Sequence, residues 1–308
     1  MKAAAIAGTL STALGWAYLQ HIRLPKGPSR LSWQQLVFGH RGCRHIAGIP
    51  ENTLPAFGYA NENAANGIEL DVRLCKTGEL VVHHDAFVAP LCDPVPGVIE
   101  PSAAIADLTR EQVKMLRYAA DPSKTIEVPL LEEAVDYCRE HFLKMLIEIK
   151  DVGSELDKCV ARVIELYRRH PNYMFDHTTV ISFNPKVLYK LRQREPRIAV
   201  CMLTCKTLVS DLVQKPTEKV PPLWRLCPRV FDFGIHWMCN AIAPWVIGAS
   251  MVGPRFSEMT EPLQARWNRR GVLVYLWGFK EPTDCPDWMR RPGVFVAVDD
   301  KHVQYFPK

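Results

Sequence analysis

Two alternating hydrophobic periodicities constrain the fold of this chain more than any other feature. Short apolar or β-branched runs occur at 36–39, 67–72, 79–84, 143–149, 178–183, 198–203, 248–253, 272–277 and 294–298. Stretches with helical spacing lie near 53–65, 109–117, 130–141, 155–169, 185–194 and 259–270. Strand and helix in repeated alternation predict a parallel sheet with helices outside it. There is one more strand-like run than an eight-stranded barrel uses. Only Lys76-Thr77-Gly78 separates 67–72 from 79–84. A parallel crossover needs about a dozen residues, so this pair is predicted to be an antiparallel hairpin. The expected fold is therefore α/β: a (β/α)8 TIM barrel with a small β-hairpin excursion after strand 2, plus an N-terminal hydrophobic helix. A barrel of roughly 250 residues fits inside the 308 present. Its chemistry would sit at the carboxyl ends of the strands.

The leader carries the next constraint. Residues 3–19 (AAAIAGTLSTALGWAYL) contain no charge and are mostly apolar, at the short limit for a spanning helix. A single membrane anchor is favoured over a cleaved secretory signal, because Trp16 and Tyr18 resemble an interfacial belt. The chain then divides into an anchor and linker at 1–30 and a barrel at 31–308. Arg23, Lys26 and Arg30 follow the apolar segment, which weakly favours a cytoplasmic barrel. The location read from these features is a membrane, with the endoplasmic reticulum as the compartment considered. A second apolar stretch, 231–253, cannot span a bilayer without separating the last two strands from the first six. It is expected either to touch the lipid interface or to be an ordinary barrel helix and strand. Within it Asp232, His236 and Asn240 recur at helical spacing as a polar stripe.

Composition excludes several classes. At 48% hydrophobic and 23% charged residues the chain can bury a large core. A net charge of +5 suits anionic substrates or membrane faces but is too small to argue for nucleic acid. The 10 cysteines include no CxxC pair, and Cys201 and Cys205 have no histidine nearby, so a zinc site is not expected. Several cysteines lie in apolar runs and read as small buried hydrophobes.

The chemistry-bearing residues concentrate between 38 and 85, with an echo at 148–150. Gly39-His40-Arg41-Gly42 ends a strand and places a histidine beside a cation, between glycines that would admit a ligand closely. Pro50-Glu51-Asn52-Thr53 reads as a helix start, with Asn52 or Thr53 as cap and Glu51 free to pair with a cation or a metal. Glu69 and Asp71, two apart on a strand, share a face. Two adjacent carboxylates in an apolar strand repel each other and cost desolvation, which a hard cation relieves. His83-His84-Asp85 ends the hairpin, with His84 placed beside the carboxylate pair and His83 at the surface or behind the site. Glu148-Ile149-Lys150 ends another apolar strand. Three carboxylates with water and phosphate oxygens make a site for Mg2+ or Ca2+, while Arg41 and Lys150 would neutralise phosphate.

Taken together, these elements resemble the glycerophosphodiester phosphodiesterase family. The matching text is GHRG, PENTLPAF, GIELDVRLCKTGELVVHHD, VPLLEEAV and LIEIK, then VISFNPKVLYKLRQ and VLVYLWGF, covering roughly 36–300. The leader and the Phe-Asn-Pro-Lys-Val-Leu-Tyr segment are most similar to the membrane-anchored eukaryotic branch, which includes glycerophosphoinositol-cleaving enzymes. The resemblance implies that Glu69, Asp71 and Glu148 hold one divalent cation, Mg2+ ahead of Ca2+. It implies His40 and His84 as general acid and base. Arg41, Lys150 and Glu51 would bind substrate, with Phe183 and Trp277 lining the pocket. Departures from the family pattern fall at Ala89–Gly97, Trp277–Lys280 and Phe295–Asp299, near the alcohol side of the pocket, so substrate identity is the open question.

The implied activity is metal-dependent hydrolysis of glycerophosphodiesters such as glycerophosphoinositol to glycerol 3-phosphate and an alcohol. The nucleophile is either the glycerol 2-hydroxyl or water. A lysophospholipase D acting on lysophospholipids or N-acylethanolamine glycerophospholipids is the nearest alternative, with a phosphoinositide-type phospholipase C behind it. A non-catalytic membrane scaffold is the alternative of another class. Expected partners are the glycerophosphodiester or lysophospholipid substrate and membrane lipid, with no nucleic acid.

Overall fold

The computed structural model describes residues 14–30, 33, 36–150, 152–214, 221–279, 286–290 and 293–299. Eight parallel strands close into a barrel: β1 (Leu36–Gly39), β2 (Gly67–Leu74), β6 (Lys144–Ile149), β7 (Thr178–Ser182), β8 (Val200–Thr204), β9 (Met251–Pro254), β10 (Leu273–Leu276) and β11 (Val294–Val298). Closure is made by β1, which pairs with β2 on one side and with β11 on the other. The hairpin expectation also holds. β3 (Leu80–Val82) lies antiparallel to the end of β2 in the register Val72↔Val82. The excursion is larger than a hairpin, however. It runs to Leu130 through the small sheet β4 (Cys92–Asp93) and β5 (Arg117–Tyr118) and helix α3 (Arg110–Met115). It has its own core, which includes Val81, Val88, Ile105, Leu116 and Val128.

Strand alternation sorts side chains into two layers. Leu36, Phe38, Leu146, Ile181, Cys201, Leu203, Met251, Leu273, Tyr275, Phe295 and Ala297 pack inside the barrel. Val37, Ile68, Leu70, Met145, Ile147, Val180 and Val274 face the helices. The barrel floor is plugged by Trp33, Phe38 and Phe295, with ring centroids 6.0–6.5 Å apart in tilted and edge-on pairs. None of the described cysteines is disulfide-bonded, and all but Cys227 are buried, as expected for small hydrophobes.

Helix α2 (Leu54–Glu62) starts at Thr53, whose hydroxyl accepts from the Ala56 amide. Helices α4 (Leu131–Glu140), α5 (Leu156–Arg169), α7 (Pro185–Arg194) and α12 (Glu261–Arg269) match the periodic stretches. The periodicity did not reveal α6 (Pro171–His177), a short helix that follows α5 directly.

Residues 14–22 are helical (α1), and the leader before them lies outside the described residues. Among the described residues no helix is long and apolar enough to cross a membrane. Residues 24–30 lie along the underside of the barrel. The amides of Leu24 and Gly27 donate to the carbonyls of Val246 and Gly248, and the Arg30 guanidinium donates to the carbonyls of Phe175 and Thr178. Trp16 stacks on Trp245 with centroids 5.1 Å apart.

Between β8 and β9 the chain forms α8 (Leu208–Gln214), α9 (Pro222–Leu226), α10 (Pro228–Trp237), a π-helical turn at Met238–Ile242 and α11 (Ala243–Ile247). Gly248 ends this rod at φ 65°, and a Cβ there would meet the Pro25 carbonyl oxygen at 2.1 Å, so only glycine fits. The amphipathicity of α10 is inverted. The Asp232 carboxylate is buried and accepts from the amides of Val209 and Ser210 and from the Ser210 hydroxyl. Asn240 Nδ2 donates to the His236 carbonyl, and its side-chain oxygen accepts from the Thr204 hydroxyl. The polar stripe thus turns inward. Leu223, Leu226, Val230, Phe233 and Trp237 face outward, each more than half exposed, with Arg225 and Arg229 exposed among them.

Candidate active site

The strands that line the charged side of the barrel mouth are β1, β2 and β6. Inward alternation along β2 delivers Glu69 and Asp71, and along β6 delivers Glu148 and then Lys150. Glu69 and Asp71 are 1% exposed and Glu148 is 8% exposed. One carboxylate oxygen from each lies within 4.8 Å of the other two. Adjacent strands produce this cluster: Asp71 is level with Glu148 in the β2–β6 register.

Two cations are interleaved with the acids. Lys150 Nζ lies 2.6 Å from Glu148 Oε1 and 2.7 Å from Asp71 Oδ1. Arg41 Nη1 donates to Glu51 Oε1 at 2.7 Å, its Nε lies 3.3 Å from Asp71 Oδ2, and its backbone amide donates to Glu69 Oε2 at 3.1 Å. Glu51 also meets Arg44 at 3.2 Å, so it is engaged with cations rather than with the carboxylate cluster.

These contacts set the titration of the site. Burial and then the neighbouring Asp71 charge push the Glu69 carboxyl up to about 8, against the pull of His40. Asp71 goes the other way: burial would raise it, but Lys150 and Arg41 hold it well below the usual carboxylate range. Lys150 is raised because Asp71 and Glu148 outweigh its burial. Fully ionised, the three carboxylates would carry one charge more than Lys150 and Arg41 neutralise, which is why Glu69 resists ionisation; three such oxygen donors fit a hard divalent cation that would take up the excess.

His40 and His84 flank the cluster. His40 Nε2 lies 3.8 Å from Glu69 Oε2, and its Nδ1 lies 2.5 Å from Asp299 Oδ1. Burial alone would lower its pKa, but the Asp299 bond and the Glu69 charge raise it. His84 Nδ1 lies 2.7 Å from Asp85 Oδ1, and burial lowers its pKa despite Asp71 and Asp85. Of the two expected positions for His83, the structure has the one behind the site. His83 is fully buried rather than superficial, its Nδ1 bonds to the Asp85 carbonyl at 2.9 Å, and burial pushes it down to about 4. It therefore stays neutral and helps hold the hairpin end.

The backbone between His40 and Thr53 is tightly constrained. Arg41 and Asn52 both adopt positive φ, 55° and 60°, and the Asn52 amide donates to the Arg41 carbonyl. The glycines of GHRG serve chain packing rather than ligand approach. A Cβ on Gly39 would meet the Gly42 carbonyl oxygen at 1.8 Å, and one on Gly42 would meet Ala56 and Phe57 at 2.8 Å. Asn52 is not the helix cap. It is 1% exposed and clamps Asp71, donating from Nδ2 to Oδ2 at 2.8 Å and accepting from the Asp71 amide at 3.1 Å.

Across the mouth, Phe183 and Trp277 follow β7 and β10. Their rings meet edge to face at 5.6 Å, and Trp277 Nε1 donates to the Gly253 carbonyl at 2.8 Å. Arg255, just beyond β9, lies over the Trp277 ring at 5.3 Å. All ten expected site residues thus lie on the mouth side of the barrel, Glu69 and Asp71 within β2 and the others at or just beyond strand ends or on the β1–α2 loop. Asn52, Asp85 and Asp299 join them as partners that the motif reading left without a site role. The alternation Phe295, Ala297, Asp299 along the last strand was the available signal for the third.

The family model described as "Glycerophosphoryl diester phosphodiesterase family" matches residues 40–301. The chain belongs to this family. A mouse relative named "Glycerophosphodiester phosphodiesterase 1" is 28% identical over 264 residues, covering 81% of this chain and 75% of the relative. A glycerophosphodiester phosphodiesterase from Caldanaerobacter subterraneus is 30% identical over 278 residues, covering 86% and 93%. Among solved structures, an Oleispira antarctica phosphodiesterase in complex with the product sn-glycerol-3-phosphate superposes with a TM-score of 0.66 at 17% identity, covering 91% of this chain and 98% of that one. A glycerophosphoryl diester phosphodiesterase structure from Silicibacter pomeroyi superposes at 0.65 with 22% identity, covering 94% and 96%. These superpositions match the barrel fold. As a member of the glycerophosphoryl diester phosphodiesterase family, this protein is a phosphoric diester hydrolase.

Proposed function

We propose that this hydrolase cleaves glycerophosphodiesters such as glycerophosphoinositol into glycerol 3-phosphate and the free alcohol, with one divalent cation and a histidine pair. The observation that carries the reading is the convergence of three buried carboxylates, two histidines and two cations at adjacent strand ends. A cation bound by Glu69, Asp71 and Glu148, Mg2+ in this reading, would neutralise charge on the phosphodiester and polarise it. Arg41 and Lys150 add positive charge where the phosphate oxygens would lie, and their own carboxylate contacts keep them ordered without substrate. His40 and His84 each engage an aspartate through Nδ1, which leaves Nε2 for proton transfer. One removes the proton of the nucleophile, the glycerol 2-hydroxyl or water, while the other protonates the departing alcohol; where the 2-hydroxyl attacks, water then opens the cyclic phosphate to glycerol 3-phosphate. The edge-to-face Phe183–Trp277 pair offers an apolar wall for the rest of the substrate.

A second reading, a lysophospholipase D that meets its substrate at a membrane, is favoured by the outward apolar stripe of α9 and α10. The segment carrying it rises from the carboxyl end of β8, on the mouth side. Exposed Leu, Phe and Trp beside Arg225 and Arg229 form a surface suited to anionic lipid. The apolar leader, and Trp16 stacked against the lower end of the same helical rod, support a membrane location.

The test is hydrolysis by the full-length protein of glycerophosphoinositol, glycerophosphocholine and lysophosphatidylcholine, with Mg2+, with Ca2+ and with EDTA. Metal-dependent release of glycerol 3-phosphate is the expected outcome. Release of lysophosphatidic acid as the dominant product would transfer the assignment to lysophospholipase D. Undiminished turnover in EDTA would overturn the metal role.

A further inference from the structure

We propose that Asp299 is the positioning residue of His40: it fixes the imidazole tautomer and aims Nε2 at the carboxylate cluster. The inference rests on the reading of His40 as a catalytic group and adds a residue that the reading does not require.

Barrel closure brings the two residues together. β1 and β11 are the first and last strands of the sheet, and they pair in parallel with Gly39 level with Val298. The register carries one step past the strand ends, where the His40 amide donates to the Val298 carbonyl at 2.9 Å. His40 and Asp299 are therefore the first residues beyond two neighbouring strands. Asp299 also continues the inward alternation of Phe295 and Ala297. The side chains meet at 2.5 Å, between Nδ1 and Oδ1.

An ionised carboxylate can only accept, so Nδ1 carries the hydrogen and Nε2 presents its lone pair. Nε2 is the atom that faces the cluster, 3.8 Å from Glu69 Oε2. Without Asp299 the imidazole could rotate about χ2 or take the other tautomer, and either change removes the Nε2 lone pair from the mouth. A carboxylate that orients a catalytic imidazole in this way is a recurring device, and losing it commonly costs orders of magnitude in turnover. Residues 259 apart in sequence make this contact, whereas the equivalent partner of His84 is its chain neighbour.

The alternative is that Asp299 merely braces the closing strands. Full-length Asp299→Asn, Asp299→Glu and His40→Ala are compared with wild type for kcat and KM on glycerophosphoinositol with Mg2+, for melting temperature, and for the His40 imidazole nitrogen shifts by 15N NMR above the ring's titration. The expected result is a fall of about 100-fold or more in kcat for Asp299→Asn, KM within about threefold, partial recovery in Asp299→Glu, and loss of the Nδ1-protonated form that wild type shows. A kcat for Asp299→Asn near wild type while His40→Ala is inactive would overturn the proposal and leave the histidine reading intact. So would wild-type His40 protonated on Nε2, or a loss of activity with the tautomer unchanged. Normal turnover in His40→Ala would instead remove the histidine reading, and this proposal with it. If Asp299→Asn does not fold, the Asp299→Glu kinetics and the wild-type tautomer decide.

Discussion

The two sides of the barrel mouth are built on opposite principles. On one side, β1, β2 and β6 bring Glu69, Asp71, Glu148, Arg41, Lys150 and His40 to the mouth, the three acids and Arg41 buried and Lys150 and His40 partly so. On the other, β7, β9 and β10 end in Phe183, Arg255 and Trp277, and the chain after β8 exposes Phe233 and Trp237 to solvent. A buried charge is tolerated only beside a compensating charge, so every residue on the first side depends on several others. Aromatic and apolar groups on the second side make few obligatory contacts and can change more freely. On the proposed function, the charged side would fix the reaction, while the apolar side would govern the alcohol and the surface from which it is taken.

The largest expected effect tests the interdependence of the charged side. Glu148→Gln or Asp71→Asn should lower kcat by about 1,000-fold, since a bound cation contributes several kcal/mol to a charged transition state. Calorimetric titration with Mg2+ should show lost binding, and a normal Mg2+ affinity would break the comparison. Next, His40→Ala and His84→Ala should each reduce kcat by about 100- to 10,000-fold, with melting temperatures near wild type, read from single-turnover assays and thermal scans. Asn52→Ala comes third. It leaves Asp71 ionised but unclamped, and should weaken metal affinity by about 10- to 100-fold, seen as a shift in the Mg2+ dependence of turnover.

The apolar side should respond differently. Replacing Phe233 and Trp237 together by serine should reduce binding to vesicles containing anionic lipid by about tenfold or more, from the apolar area no longer buried. Turnover of water-soluble glycerophosphodiester should stay within about threefold of wild type. Equal vesicle binding by the double variant would end the lipid reading of this face.

The smallest effect concerns stability without metal. The Glu69 carboxyl titrates at about 8 in the fold against 4.5 as its ordinary value. Between those values the folded state holds a proton that the unfolded chain has released. The contribution is therefore full below about pH 4.5 and is lost as pH rises through about 8. Asp71 is depressed, so its window lies below its ordinary 3.8 and does not overlap. Because His83 and His84 are depressed and oppose this slope below the ordinary histidine range, the reading is taken against Glu69→Gln: in EDTA the melting temperature should fall by a few degrees more in wild type than in Glu69→Gln between about pH 7 and pH 9. Equal profiles in the two proteins would show that the three carboxylates already accommodate one another.

Much of this was legible in the chain itself. All eight barrel strands overlap the apolar runs, and the short Lys76–Gly78 turn correctly separated a hairpin from a crossover, because strand period and turn length are local properties. Glu69 with Asp71, and Glu148 with Lys150, could be placed on shared faces for the same reason. The glycines of GHRG were misread, since their neighbours Ala56 and Phe57 come from another element. The direction of the 231–253 stripe also lay beyond periodicity. A hydrophobic pattern shows that a helix has two faces, but not which one meets the barrel.

The sequence by itself determined the barrel, its strand ends and the chemical kinds of group that stand there, because alternation and spacing act between residues a few positions apart. Only the tertiary structure decided that Asn52 clamps Asp71 rather than capping a helix, that His83 is buried, that Asp232 turns inward while Phe233 turns out, and that Asp299 meets His40. Each of these depends on which distant segment arrives alongside, and for His40 and Asp299 that is settled only when the last strand pairs with the first.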